Sequence, residues 1–372
     1  MNQSVESTQD EQDRQWMRRC LELAQRARGQ TSPNPMVGAV VVKEGRVVGE
    51  GFHPRPGAPH AEVFALQAAG PEAAGATLYV NLEPCSHFGR TPPCADALIA
   101  AGVARVVAGM IDPNPKVAGR GLAKLRAAGI AVTVGVEEAA CQALNEAFVY
   151  SITHQKPLGI LKYAMTLDGK IATPTGHSTW VTSPASRQVV HQLRAGCDAV
   201  VVGGNTVRRD NPLLTSHGQG HNPRRVVMSR RLDLPVEAQL WQTDVAPTTV
   251  FTEIGANPVI QRRLQERGVE VLELPRLTPA VVMANLHQRG ALSVLWECGG
   301  TLAAQAIADG SIQKVLAFIA PKIIGGTAAF SPVGELGLTK MTEAIPLKQV
   351  CWRAIGEDLL IEGYLTQTTN TP

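Results

Sequence analysis

Aromatic side chains make up only 4% of the 372 residues and charged ones 18%, and the formal net charge is +3. A surface with these proportions lacks the basic, aromatic-laced stripe that nucleic-acid binders present to phosphates and bases, so a polymer substrate is disfavoured. No apolar stretch follows a basic N-terminal segment, and no apolar run is long enough to cross a bilayer, so neither secretion nor a membrane span is expected. The seven cysteines are an odd number without disulfide-scaffold density, which points to a reducing, cytoplasmic setting. What the chain does have is length and 44% hydrophobic content, enough for two cores of ordinary size.

The most informative segment is His60-Ala61-Glu62, followed by Pro84-Cys85 and then by Cys94 behind Pro92-Pro93. One imidazole and two thiolates are three ligands for a tetrahedral Zn²⁺, and the open fourth position separates a catalytic site from a closed structural one. Zinc lowers the pKa of water from about 15.7 to roughly 7. Glu62 lies two residues from a ligand without being one, where a carboxylate can carry a proton to a leaving amine. This is the arrangement of the hydrolytic base deaminases. The two cysteines are separated by the run Ser86 to Pro93 rather than by two residues, and the insertion puts His87 and Arg90 beside the ligands, where they could hold an anionic group. The ligand types suit zinc, with iron as an alternative.

Local pattern places these residues at element ends. Ala39 to Val42 and Val47 to Gly49 flank a four-residue turn and read as a hairpin. His60 and Glu62 fall in the first turn of a helix; Ala76 to Leu82 reads as a strand delivering Cys85; Cys94 opens the next helix, whose N-terminal dipole favours a thiolate. The first dozen residues are polar and read as loose, and a helix is expected from about Asp13 to Arg28, with Trp16, Met17, Cys20, Leu21 and Ala24 facing the core. The prolines around Asn34 read as an extended loop that leaves its amide free for a substrate base. Strands and helices then alternate to about Tyr150, giving an α/β layer sandwich.

A second pattern begins at Leu158. The strand Ile160 to Met165 leads into Thr166 to Lys170, and Ser183-Pro184 reads as the cap and first residue of a helix. Ala199 to Val202 runs into Gly203-Gly204, and Ser293 to Glu297 into Cys298-Gly299-Gly300. Glycine pairs between strand and helix can cradle a phosphate or form a tight structural turn; neither completes a G-x-G-x-x-G fingerprint. Cys20, Cys141, Cys197, Cys298 and Cys351 lack metal spacing and read as small core residues, and His191, like His154, His177, His221 and His287, has no ligand partner in sequence.

Taken together, the motifs resemble the bifunctional deaminase-reductases of riboflavin biosynthesis. The likeness runs from about Trp16 to Leu365 and is carried by Ser32-Pro33-Asn34-Pro35, Gly51-Phe52-His53, His60-Ala61-Glu62, the run Glu83 to Cys94, Leu167-Asp168-Gly169-Lys170, Asp210-Asn211-Pro212, and Glu297 with Gly299-Gly300. It implies a cytidine-deaminase-like three-layer α/β/α domain over residues 13–150 and a dihydrofolate-reductase-like α/β domain over residues 158–366 that uses NADPH. By this resemblance the first domain deaminates the pyrimidine ring of diaminohydroxyphosphoribosylaminopyrimidine, and the second reduces the ribosyl side chain of 5-amino-6-(5-phosphoribosylamino)uracil to ribityl. His60, Cys85 and Cys94 would bind zinc, Glu62 would shuttle the proton, and Asn34, His53, His87 and Arg90 would hold the base and ribose phosphate. Ala164, Trp180, Thr206, Asp210 and the segment Gly299, Gly300, Thr301, Leu302 would face NADPH, while Ser178, Arg194, Leu214 and Glu297 would meet the reductase substrate. The resemblance further implies a homo-oligomer.

The reductase proton donor is left open between Asp210 and Glu297, and Arg208-Arg209 read equally as a contact for the extra phosphate of NADPH or as a solvated charge pair. One position departs from the family: where an arginine that helps hold the substrate phosphate is common, this chain has His217, whose unperturbed pKa is near 6.5. Either Arg224 or Arg225 takes over, or substrate binding weakens as pH rises through neutrality. Three rival readings are a nucleic-acid base deaminase with an accessory C-terminal domain, an enzyme with one silent domain, and a zinc-stabilised binding module. The first leaves the C-terminal glycine pairs without a use, and the third leaves Glu62 without one.

Overall fold

A computed structural model describes residues 2–87, 92–115 and 117–366, and the chain divides into two compact units between Gln155 and Lys156. The first unit runs α1 (Asn2–Gln25), β1 (Gly38–Lys43), β2 (Arg46–Phe52), α2 (Ala61–Ala69), β3 (Thr77–Val80), α3 (Cys94–Ala100), β4 (Arg105–Ala108), α4 (Arg120–Ala127), β5 (Ala131–Val134), α5 (Glu138–Leu144) and α6 (Glu146–His154). Its five strands lie in the order β2-β1-β3-β4-β5, with β3, β4 and β5 parallel and the others antiparallel. The β1–β2 turn works because Glu44 and Gly45 both take positive φ, 51° and 74°, which matches the twist of the strands it joins.

Strand β1 is buried along its length, as its unbroken run of valines implies. Its apolar neighbours are small: Ala61 and Ala65 of α2 and Ala95 of α3 pack with Val41, Leu78, Val80 and Leu98. Gly51 sets how close α2 can come, since a Cβ there would sit 2.5 Å from the carbonyl oxygen of Ala61. That close approach matters because α2 carries the first two site residues.

The second unit runs β6 (Leu158–Thr166), α7 (Pro184–Gly196), β7 (Ala199–Gly203), α8 (Gly204–Asp210), β8 (Arg224–Met228), β9 (Thr248–Glu253), α9 (Pro258–Glu266), β10 (Glu270–Leu274), α10 (Pro279–Gln288), β11 (Ser293–Trp296), α11 (Gly300–Ala308), β12 (Lys314–Ala320), β13 (Leu347–Ile355) and β14 (Asp358–Leu365). Nine strands in the order β10-β9-β8-β7-β11-β6-β12-β14-β13 form one sheet, parallel from β10 through β12 and closed by the antiparallel β14 and β13. Alternate residues of the parallel strands feed two cores. Val201, Val226, Phe251 and Trp296 meet Val282 and Met283 of α10 and Ala303 of α11 on one face. Val200, Val202, Val250 and Leu295 meet Leu264 of α9 on the other. Burial on both faces is why these strands read as continuous apolar runs. Three helices start on an Asx/Ser/Thr-Pro pair: Ser183, Asn257 and Thr278 each accept a hydrogen bond from a first-turn backbone N–H.

Several expectations are corrected. Helix α1 begins at Asn2 rather than near Asp13, because the segment holds no proline or glycine and is rich in Glu and Gln, good helix formers. Glu137 to Phe148, which reads as one helix in the alternation before Tyr150, falls in two, α5 and α6, broken at the buried Asn145, whose side chain accepts from Met36 N at 2.8 Å and donates to Met36 O at 3.0 Å. The Asn34 loop is a tight turn, Asn34 N donating to Thr31 O at 2.7 Å, rather than extended. Cys351 is exposed on β13; Cys20, Cys141, Cys197 and Cys298 are buried as expected.

A polar network crosses the first core. Asp13 of α1 accepts from Tyr79 Oη at 2.8 Å and from both terminal nitrogens of Arg105 at 2.9 and 2.6 Å, and Arg105 also donates to Thr133 of β5. Burial alone would raise the Asp13 pKa, but its bonds from Arg105 and Tyr79 hold it below the ordinary value. Asp13→Ala removes the partner of a partly buried cation and is expected to cost about 2–3 kcal/mol. Because the folded pKa is depressed, this contribution is fully present above the unfolded carboxylate value of about 3.9 and is lost as pH falls through the folded one. Melting temperatures of the wild type and Asp13→Ala should therefore converge on acidification; a gap that stays constant down to the acid limit would remove the ion pair from the account.

Candidate active sites

In the first unit three elements converge. His60 is the N-cap residue of α2, Cys94 is the first residue of α3, and Cys85 follows β3. Their ligand atoms all lie within 4.8 Å of one another. His60 Nδ1 is 3.2 Å from Cys94 Sγ and 3.5 Å from Cys85 Sγ, and Cys94 N donates to Cys85 Sγ at 3.3 Å. The Cys94 thiol and His60 hold Cys85 far below the usual thiol value, while Cys94, bonded to Cys85 and buried, is held above it. One proton shared by two adjacent thiols is the proton that a cation would displace.

Glu62 is the second residue of α2 and is 3% exposed. Burial first, and the neighbouring Cys85 second, push its pKa up to about 7. Its Oε2 has no hydrogen-bond partner among the described residues. A buried carboxylate oxygen without a partner beside a soft three-ligand set is what a site for Zn²⁺ and a reacting water requires, so the residues fit the metal.

The surrounding contacts revise the sequence reading. His53 is 2% exposed and both its nitrogens are used: Nδ1 donates to Pro59 O at 3.1 Å, and Nε2 accepts from Asn34 Nδ2 at 3.0 Å. It is therefore a neutral imidazole, its pKa lowered chiefly by burial, which ties Asn34 to the residue preceding His60 and leaves Asn34 Oδ1 outside that pair. His87 is exposed, and Arg90 lies outside the described residues. Two residues went unassigned in the sequence. Glu83, directly before Pro84-Cys85, accepts from the backbone N–H groups of Asp112, Gly119, Gly121 and Leu122, so it caps α4 and anchors the loop bearing Cys85. Asp112 is half-buried, its pKa raised by burial and by Glu83 and Cys85. Their only signal was adjacency to a ligand and an Asp-Pro-Asn turn.

In the second unit a cavity of about 1630 Å³ opens at the carboxyl ends of the parallel strands, the expected place for a ligand in such a sheet. Ala164, Trp180, Thr206, Asp210 and Gly299 to Leu302 line it, as do Ser178, Arg194, Leu214, His217 and Glu297. Gly299 is the N-cap of α11, no side chain caps that helix, and nothing lies within 4 Å of where its Cβ would be. Backbone N–H donors open to a large cavity suit the pyrophosphate of a dinucleotide, so these residues fit NADPH.

Arg194 and Glu297 are joined to each other by two hydrogen bonds of 2.6 and 3.0 Å, Arg194 also donates to Thr215 O, and Lys162 Nζ stands 3.7 Å from Glu297. Burial would raise the Glu297 pKa, but Arg194 and Lys162 bring it down to about 2. In the free protein Glu297 is therefore held ionised by its two cations. Asp210, raised by burial and hydrogen-bonded by Ser178 at 3.2 Å, stays available. Neither arginine offered as a substitute for His217 is free. Arg225 is buried and donates to Gln242 O and Ala246 O, and Arg224 pairs with Glu270 and Thr249. Arg208 is held by Asp233 and Arg209 lies over the Phe330 ring at 5.0 Å.

Residues 10–110 match the family described as the cytidine and deoxycytidylate deaminase zinc-binding region, and residues 157–361 match the RibD C-terminal domain. The chain is 62% identical to the riboflavin biosynthesis protein RibD of Synechocystis over 95% of its own length and 96% of the relative's. The chain belongs to the RibD family. Two solved structures agree at 37% identity and a TM-score of 0.86, each over 96% of this chain and 100% of the other: Acinetobacter baumannii RibD, and a Thermotoga maritima protein described as a diaminohydroxyphosphoribosylaminopyrimidine deaminase/5-amino-6-(5-phosphoribosylamino)uracil reductase. As a RibD-family member it is a bifunctional enzyme of riboflavin biosynthesis, a zinc-dependent deaminase with a cytidine-deaminase-like fold joined to an NADPH-dependent reductase with a dihydrofolate-reductase-like fold.

Glu62→Gln keeps the size of the side chain and removes its proton chemistry. Ammonia release is expected to fall about 10²- to 10⁴-fold, with zinc content unchanged. Full turnover in this variant would exclude Glu62 as the proton carrier.

Proposed function

We propose that the first unit deaminates diaminohydroxyphosphoribosylaminopyrimidine and that the second reduces the ribosyl side chain of 5-amino-6-(5-phosphoribosylamino)uracil to ribityl. The observation that carries this reading is the convergence of His60, Cys85 and Cys94 on one point beside the unpartnered oxygen of Glu62. The two catalytic domains span residues 13–150 and 158–366. His60, Cys85 and Cys94 hold zinc, which supplies Lewis acidity. Glu62 takes a proton from the attacking water and gives it to the amino group, which leaves as ammonia while the water oxygen stays on the ring. Asn34, positioned by His53, orients the base, and His87 and Arg90, which fall between Cys85 and Cys94 in the sequence, meet the ribose phosphate.

In the reductase, Ala164, Trp180, Thr206, Asp210 and Gly299 to Leu302 hold NADPH, which supplies the hydride. Ser178, Arg194, Leu214, His217 and Glu297 hold the substrate. The little-exposed Arg194–Glu297 pair presents a fixed acceptor to the sugar hydroxyls without adding net charge, and Asp210 would pass a proton to the opened sugar.

The test is an anaerobic mixture of full-length protein, the diaminopyrimidine ribosyl phosphate and NADPH, followed for ammonia and NADPH together. Ammonia should appear first and NADPH loss should follow. A zinc chelator should stop both, and adding the deaminated intermediate should restore NADPH loss alone. NADPH loss that stays stopped after that addition would withdraw the reductase assignments.

The homo-oligomer reading is supported by the outer strand β13. Val350 is 54% and Trp352 65% exposed on it, and apolar surface of this kind at a sheet edge favours pairing with a second copy. Trp352→Lys is expected to lower the molar mass measured by light scattering; an unchanged mass would place the contact elsewhere. Cytoplasmic residence is supported by cysteines that are all free.

A further inference from the structure

His217 and His191 stack in the wall of the reductase cavity, with ring centroids 4.1 Å apart and planes 26° from parallel. Nothing in the sequence pairs them, since His191 lies on α7 and His217 on the loop after α8. That loop is held in shape: Ser216 N donates to Asn222 Oδ1 at 2.9 Å, Ser216 Oγ donates to Gly220 O at 2.8 Å, and Arg194 donates to Thr215 O. His217 itself is exposed, and His191 is half-buried beneath it.

The charges facing this pair are on α7 and β11: Arg187 and Arg194 come from α7 and Glu297 from the end of β11, while Lys162 of β6 pairs with Glu297 in the same cavity wall. Arg194 and Lys162 between them more than cancel Glu297, so with Arg187 this wall carries a surplus of positive charge even while both imidazoles are neutral. Their neutral forms are favoured: burial, then His217 and Arg194, push the pKa of His191 down to about 4, and burial, then Arg194, hold that of His217 below its usual value. Two imidazoles in face contact can carry one proton between them far more readily than two. The exposed ring of the two is the one a ligand can reach.

We propose that His217 is a proton-gated anion contact of the reductase, neutral in the free enzyme and protonated when the substrate phosphate enters, and that His191 is its uncharged stacking platform. This rests on the reading of His217 as a substrate contact. An incoming phosphate dianion supplies the negative charge that the free cavity wall lacks, raises the pKa of the ring it touches, and so draws one proton from solvent. Binding coupled to proton uptake must weaken as pH rises, with a limit of about tenfold per pH unit for one proton. A permanently charged arginine at this position would show no such dependence.

The experiment uses full-length protein, saturating NADPH and 5-amino-6-(5-phosphoribosylamino)uracil, from about pH 6.5 to about pH 8.5, which stays above the second phosphate ionisation near 6. The wild-type KM should rise severalfold across this range while kcat does not follow it. In His217→Arg the KM should be flat and low. His191→Ala should raise KM at every pH, and His191→Phe, which restores a ring under His217, should bring it back. If His217→Ala raises KM but the wild-type KM is flat with pH, His217 is a contact and the proton coupling is wrong. If His217→Ala leaves KM unchanged throughout, His217 is not in the substrate site and the underlying reading fails with it. Failure of His191→Phe to restore KM would overturn the platform.

Discussion

Backbone N–H groups at a helix start need acceptors, and both sites of this chain use helix starts that no side chain caps. The helices α7, α9 and α10 are closed by Ser183, Asn257 and Thr278. The helices that enter the two sites, α2, α3, α8 and α11, have no side-chain cap. In the first unit the uncapped starts carry a metal ligand or sit beside one, and the Cys94 amide donates to the Cys85 sulfur. In the second unit the uncapped starts at Gly203 and Gly299 open on the cavity. The chemistry is thus placed where the fold has left donors and positive dipole ends unused.

Each site then depends on a buried charge whose environment differs in kind. Glu62 is buried beside Cys85, Cys94 and His60, and burial first, then Cys85, lifts its pKa to about 7, a value suited to taking and giving a proton. Glu297 is largely but less completely buried and faces Arg194 and Lys162, whose charges keep it ionised. The same residue type does opposite work, and only the identity of its neighbours decides which.

Much of this was legible in sequence. The β1–β2 hairpin, the ligands at the starts of α2 and α3, the Ser183-Pro184 helix start and both strand-to-glycine-pair junctions stand where local pattern put them, because each depends on neighbours within a few residues. The errors share a cause. The loose N-terminus proved helical from Asn2, where low hydrophobicity had masked adequate helix propensity. The break at Asn145 depends on Met36, 109 residues away, and the exposure of Cys351 depends on β13 being the outer strand.

The sequence by itself determined the candidate metal-ligand residues, the presence of a carboxylate beside them, the two-domain order and the family, since these depend on residue type and short spacing. Tertiary structure alone decided that His53 is neutral and fully bonded, that Arg194 and Glu297 neutralise one another across 103 residues of chain, that Arg225 serves backbone carbonyls, and that His191 lies under His217. The physical reason is that a side chain's protonation and availability are set by the groups packed against it, and those come from segments remote in the chain.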